Sequence, residues 1–421
     1  MKIKTVEADY ETVISLPRAA HKPPKKPSVL FRTLTRVIGA GDLKDTSFTY
    51  EATEDFRTLN EPCLILMNHS SFIDLEIAAR IFYPKPYTIV CTSDGFVGKE
   101  WLMRSLGCIP TQKFVSDLTL IRDMKYSLEK LKTSVLMYPE ASYTFDGCAT
   151  PLPRRLGNLF KMLKVPVVMV RTYGAFARDP LYNCLQKRKV KVTANVSVLF
   201  SKEEIASMTV DELDKKLDGA FSFDSFAWQA ENGVGIAEPF RADGLERILY
   251  RCAACGAEGK MKGEGTTLTC SACGMKLTLD EHGKLVPAVD GSAAPRFSHI
   301  PDWYGWEREE VRREIEEGRY RLDVKVKIGM MVDYKAIYMV GEGRLVHTPD
   351  GFVLDGCEGK LHYEQKPLAS YGLYADYYWY ELGDIVCIGS RDALYYCFPE
   401  NIPVAKVRLA AEEMYKRLKN Q

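Results

Sequence analysis

"CLILMNHSSFIDLEIAARIF", residues 63–82, decides the fold. Cys63 to Met67 is an unbroken apolar run, which marks a strand covered on both faces rather than one. From Ser70 the pattern changes to that of a helix, with Ser71 as cap and Asp74 completing a Ser-x-x-acid box. Asn68, His69 and Asp74 therefore stand at a strand-to-helix junction. The chain has only six histidines in 421 residues, so one placed here asks for a reason.

The same alternation continues outward over residues 60–200. "YTIVCT", "SVLMYP", "VPVVMVRTYG" and "KVKVTANVSVLF" read as strands. "DLTLIRDMKYSLEKLK" puts Leu118, Ile121, Met124, Leu128 and Leu131 at helical spacing. Such alternation predicts an α/β layer, helices over a sheet, with its chemistry beyond the carboxyl ends of the strands. Length argues for two or three domains. Charged residues make up 27% and net charge is +1, so no whole-molecule charge favours a nucleic-acid partner. No apolar run approaches the roughly 20 residues that span a bilayer. The start "MKIKTVEADYETV" has no signal-peptide core, and the expectation from it is a cytoplasmic protein.

Five stretches follow from composition. Residues 1–50 form an arm whose segment 23–40 reads as a basic amphipathic helix: Leu30, Phe31, Leu34, Val37 and Ile38 on one face, Lys25, Lys26, Arg32 and Arg36 beside them. Such a helix lies on a membrane surface, as a peripheral anchor, or packs on the protein's own core. Residues 51–246 form the α/β unit. Residues 247–286 carry Cys252-x-x-Cys255 and Cys270-x-x-Cys273, each in a Cys-x-x-Cys-Gly knuckle, which resembles a zinc ribbon. Four thiolates at that spacing suit tetrahedral zinc, and a full set of protein ligands makes the metal structural. The other eight cysteines read as small buried side chains. Residues 287–302 read as a linker. Residues 303–421 read as a β-rich, barrel-like domain of pleckstrin-homology type, closed by the helix "PVAKVRLAAEEMYKRLKN".

His69 alone has two readings, a satisfied core residue or a base steered by Asp74. Glu140, after the strand "SVLMYP", adds a second polar residue at a strand end. Asn68-His69-x-x-x-x-Asp74, Gly107 to Lys113, Tyr138-Pro139-Glu140 and Val165 to Val170, in this order, resemble the glycerolipid acyltransferase family, over roughly residues 55–200. The resemblance implies that His69 takes the proton of an acceptor hydroxyl, that Asp74 orients the ring, and that Asn68, Glu140 and Lys113 bind substrate. It implies an acyl-CoA or acyl carrier protein donor and a lysophospholipid or related acceptor, in phospholipid biosynthesis. The third block departs from the family's pattern: it reads Glu-Ala-Ser-Tyr, with Tyr143 where an arginine is usual. Arg154 and Arg155 stand downstream as replacement cations for an acceptor phosphate, or as a solvated pair. The alternative is a catalytically degenerate scaffold whose ribbon and C-terminal domain bind a partner.

Overall fold

The computed structural model describes residues 2–115, 117–289, 291 and 293–419. Residue 1 of the expected arm, 116 of the α/β unit, 290 and 292 of the linker, and 420–421 after the closing helix lie outside the described residues.

A seven-stranded sheet carries the junction. Its spatial order is Thr49–Ala52, Thr193–Phe200, Val167–Tyr173, Leu64–Met67, Ser134–Met137, Tyr87–Thr92, Cys108–Thr111. The last five run parallel. Thr193–Phe200 runs against them, and Thr49–Ala52 follows it. Leu64–Met67 is central and fully buried. Its side chains alternate between two cores: Ile65 and Met67 meet Ile73, Ile77 and Ile81, whereas Leu64 and Leu66 meet Met124, Leu128 and Phe160. Two apolar faces explain the continuous apolar run.

The helix after this strand starts at Asp74, not at Ser71. Ile73 holds the cap position without a side-chain bond. Asp74 Oδ2 instead accepts the N–H groups of Ser70 and Ser71, at 2.8 and 3.1 Å, and closes residues 70–73 as a separate turn.

Met261–Glu264, Thr267–Cys270, Lys276–Leu279 and Leu285–Pro287 form a small antiparallel sheet that bears the cysteine knuckles. The third sheet has eight strands. Its path is Leu361–Gln365, Gly351–Gly356, Ile337–Thr348, Leu322–Met331, Leu394–Pro399, Gly383–Gly389, Tyr374–Trp379. Its eighth strand comes from the other end of the chain: Thr5–Glu7 pairs in parallel with Ile337–Met339. Among the described residues no ladder joins the two ends of the path. One side-chain bond, Gly389 N–H to Gln365 Oε1 at 3.0 Å, reaches across. The helices Ile300–Glu316 and Val404–Lys419 lie together, tied by Arg308 to Glu412 and Glu413 at 2.7 and 2.9 Å.

This large sheet docks on the carboxyl ends of the parallel strands. Asp94, just past the Tyr87–Thr92 strand, is fully buried and accepts Tyr374 O–H at 2.6 Å and Trp379 Nε1–H at 3.3 Å. Gly98 N–H donates to Tyr334 O at 2.8 Å. The Phe114 ring meets the Tyr371 ring edge-on at 5.3 Å. Gly372 is required there, because a Cβ would lie 2.5 Å from that phenyl ring. The aromatic run "YGLYADYYWY" is thus the docking strand and its flanks.

The helix Val29–Ile38 packs near the helix Asp74–Phe82 with its basic side inward. The Arg36 guanidinium lies over the Tyr83 ring at 4.4 Å, and Arg32 donates to Pro84 O. The apolar stripe faces out: Leu30 is 72% exposed, Ile38 71%, and Val29, Leu34 and Val37 are exposed as well. Trp101, 69% exposed, meets Phe31 edge-on at 5.9 Å and extends the patch.

Candidate functional site

His69 and Glu140 sit at the carboxyl ends of adjacent parallel strands, Leu64–Met67 and Ser134–Met137. Neighbouring strands in register bring the two loops together although 71 residues separate them. His69 Nδ1 lies 3.2 Å from Asp74 Oδ2. The turn at 70–73 makes this approach possible, since on a regular helix a spacing of five points two side chains apart. The imidazole is held between two rings: Tyr138 stacks at 4.0 Å and Tyr143 lies tilted at 4.2 Å. Among the described residues Nε2 makes no hydrogen bond, and the side chain keeps 18% exposure.

The electrostatics favour an uncharged ring. Burial, and then the nearby Lys113 charge, hold His69 well below its ordinary pKa. Burial pushes Asp74 up to about 7 against the pull of the Ser70 and Ser71 N–H groups. Both shifts oppose an imidazolium–carboxylate pair, and we read the resting ring as neutral. Asp74 Oδ1, Tyr138 Oη and Ser142 Oγ are buried without a hydrogen-bond partner among the described residues. Two of these residues, Asp74 and Tyr138, contact the His69 ring directly.

Glu140 is 3% exposed and both its oxygens are occupied. Oε2 accepts His69 N–H at 2.8 Å; Oε1 accepts Thr150 N–H at 2.9 Å and Thr150 O–H at 3.1 Å. Burial raises its pKa to about 7. Asn68 Oδ1 accepts Thr172 N–H at 2.8 Å from the Val167–Tyr173 strand, and Asn68 Nδ2 donates to Ser70 Oγ at 3.1 Å. Both residues, expected to touch substrate, here hold the His69 loop. The N–H groups of His69, Ser70 and Ser71 are taken by Glu140 and Asp74, so none of these three is a free oxyanion donor.

Lys113 lies with its ammonium 4.0 Å from the centre of the Tyr374 ring, on the C-terminal sheet. Arg154 pairs with Asp218 at 3.0 Å on the exposed surface. Arg155 is exposed, and its backbone N–H binds Asp214. Among the described residues no contact joins either arginine to His69, Glu140 or Lys113.

The Sγ atoms of Cys252, Cys255, Cys270 and Cys273 lie within 4.8 Å of one another and could hold a metal ion. Cys252 to Cys273 is 3.7 Å and Cys255 to Cys270 is 3.9 Å. A tetrahedral ion with metal–sulfur bonds of about 2.3 Å needs edges of about 3.8 Å. Gly256 (φ +76°) and Gly274 (φ +75°) make the turns that let Gly256 N–H reach Cys252 O and Gly274 N–H reach Cys270 O. His282 makes no part of this group.

Residues 47–172 match the family model described as Acyltransferase. This segment is similar to the glycerolipid acyltransferases. The human protein "1-acyl-sn-glycerol-3-phosphate acyltransferase beta" is 27% identical over 150 residues, which is 34% of this chain and 53% of that one. The chain thus spans about half of that relative's length. The structure of "the 1-acyl-sn-glycerophosphate (LPA) acyltransferase, PlsC, from Thermotoga maritima" aligns at 14% identity with a TM-score of 0.37, over 45% of this chain and 76% of that one.

The acyltransferase segment holds His69, Asp74, Asn68, Glu140 and Lys113 together. Sequence reasoning missed the ring clamp and the neighbours from the third sheet. Tyr143 in place of a cation was the one available signal for the clamp. Nothing local to the segment points to Tyr374, about 260 residues downstream of Lys113.

Proposed function

We propose that this protein moves an acyl chain from a thioester of coenzyme A or acyl carrier protein to a hydroxyl of a glycerolipid-type acceptor. The observation that carries the reading is His69, held at Nδ1 by Asp74 and open at Nε2, inside an acyltransferase-family segment. Nε2 takes the hydroxyl proton as the oxygen attacks the thioester carbonyl carbon. A C–O bond forms, the tetrahedral intermediate collapses, the C–S bond breaks, and the proton passes to the departing sulfur. The Tyr138 and Tyr143 rings keep the imidazole in plane. Asn68 and Glu140 position the loop rather than touching the acceptor. The intact couple speaks against a degenerate scaffold.

We further propose structural zinc on the four cysteines, because the sulfur spacing suits it and no open position remains. We propose the outward stripe of Val29–Ile38, with Trp101, as a peripheral membrane contact. Among the described residues no helix is long and apolar enough to cross a membrane.

His69→Ala is expected to lower transfer about 100- to 10,000-fold, the usual worth of one positioned acid–base group, without loss of fold. Unchanged turnover would sink the mechanism. Asp74 must be ionised to accept Nδ1–H, so transfer should fall as pH drops through about 7. Asp74→Asn should remove activity yet stabilise the fold at alkaline pH. The sign follows from the raised pKa. The fold holds this proton more tightly than the unfolded chain, a contribution that is full below 3.8 and is lost as pH rises through about 7. The asparagine escapes that loss, a gain at pH 8 of roughly 1–4 kcal/mol that vanishes near pH 4. Equal unfolding free energies at pH 8 would refute it.

Elemental analysis of protein purified without chelator should find one zinc per chain; none would exclude the metal assignment. Replacing Leu30 and Ile38 together by serine should weaken co-sedimentation with phospholipid vesicles while leaving soluble-substrate turnover in place. Undiminished binding would remove the helix from the membrane contact.

A further inference from the structure

His69 is gripped from one side by a single loop. Residues 138–150 supply both rings that hold the imidazole, the Glu140 carboxylate that takes His69 N–H, and Thr144 N–H, which donates to His69 O at 3.1 Å. The loop is braced within itself. Thr144 O–H donates to Cys148 O at 2.6 Å, Cys148 N–H donates to Asp146 Oδ1 at 3.2 Å, and Thr150 N–H reaches back to Glu140. It is also strained: Ala141 holds φ +59°, in the left-handed region. A residue with a Cβ resists that conformation, which persists only where the surroundings over-determine it.

Part of that surrounding comes from the far end of the chain. Phe145, the residue after Thr144, is 2% exposed and packs in a core that it shares with Trp303, Tyr377 and Val404. Its ring meets the Tyr377 ring of the third sheet at 4.7 Å. The guanidinium of Arg408, on the helix Val404–Lys419, lies 4.3 Å from the centre of the same Phe145 ring. Arg408 is buried, at 4% exposure. Its Nε donates to Glu412 Oε1 at 3.1 Å, and Glu412 is tied in turn to Arg308 at 2.7 Å. Its Nη1 has no hydrogen-bond partner among the described residues. A buried guanidinium with a donor unmet is costly, and an apolar side chain would fill the same space. What the cation adds is a directed hold on the face of one ring, strongest where water is excluded.

Resting on the acyl-transfer reading, we infer that Arg408 is a positioning residue of the transfer reaction: through the Phe145 ring it clamps the loop 138–150, and with it the Tyr143 ring and the backbone of His69. Because Thr144 is bonded both to His69 and within the loop, a shift of Phe145 carries Tyr143 and Thr144 with it. The closing helix of the chain thereby bears on a histidine near position 70 without touching substrate.

The test uses Arg408→Met in the purified full chain, which keeps the fill and leaves Glu412 paired with Arg308. The donor is a palmitoyl thioester of coenzyme A; lysophosphatidic acid and monoacylglycerol serve as separate acceptors in mixed micelles. The variant should lower kcat about tenfold and leave the donor and acceptor KM values in place. By NMR, the backbone N–H of His69 should exchange with solvent about tenfold faster, while that of Leu66 on the central strand keeps its rate; a general loss of stability would speed both. Adding Ala141→Gly, which relaxes the left-handed residue, should return about fivefold of the lost kcat. An unchanged kcat in folded Arg408→Met, equal acceleration of both amides, no recovery with Ala141→Gly, or an effect confined to an acceptor KM overturns the inference. Should Arg408→Met fail to fold, Phe145→Leu, which keeps an apolar fill without the ring face, must show the same loss of kcat, and an unchanged kcat there overturns it too. None of these results touches the acyl-transfer reading. If the wild type consumes the thioester with neither acceptor, that reading fails and the inference with it.

Discussion

One buried carboxylate oxygen organises the site. Asp74 Oδ2 receives His69 Nδ1 and the N–H groups of Ser70 and Ser71. Three donors on one oxygen fix the turn, the start of the following helix and the direction of the imidazole together. Burial makes the ionised form expensive, and the hydrogen bonds partly offset that. The site therefore exists only where the strand Leu64–Met67 is packed on both faces and can hold the turn rigid. The second carboxyl, Glu140, repeats the logic across the strand boundary by joining the His69 and Thr150 backbones. What remains exposed is one edge of one ring.

The same economy extends to the third sheet. Asp94 is a further buried carboxylate at a strand end, and it anchors Tyr374 and Trp379. A sheet formed by the two extremes of the chain, Thr5–Glu7 and residues after Leu322, thereby becomes part of the surroundings of a histidine near position 70. Lys113 links the two: its charge depresses His69, and its ammonium lies on Tyr374.

The central strand was legible because burial on two faces leaves a run such as Cys63 to Met67 with no polar interruption. The cysteine knuckles were legible because ligand spacing is a local constraint. Other features follow from contacts that sequence does not carry. A capping pattern at Ser71 looks the same whether the acid completes a helix cap or, as Asp74 does, reaches back to a turn. The periodicity of residues 29–38 defines a face but not which side meets the protein; Tyr83 and Pro84 draw Arg32 and Arg36 inward and leave Leu30 and Ile38 outside. Proximity along the chain placed Arg154 and Arg155 near Glu140, whereas Asp218 and Asp214 hold them on the outer helices.

The central claim is that His69 rests as a neutral imidazole with its proton on Nδ1, toward Asp74, and Nε2 bare. Nitrogen-15 NMR of the labelled full chain, with the His69 signals assigned by their loss in His69→Gln, reads this directly. The account predicts a protonated Nδ1 and an unprotonated Nε2 at pH 8, with no imidazolium forming as the pH is lowered to 6.5, the ordinary histidine value. An imidazolium at pH 8, or a proton on Nε2 there, would contradict it.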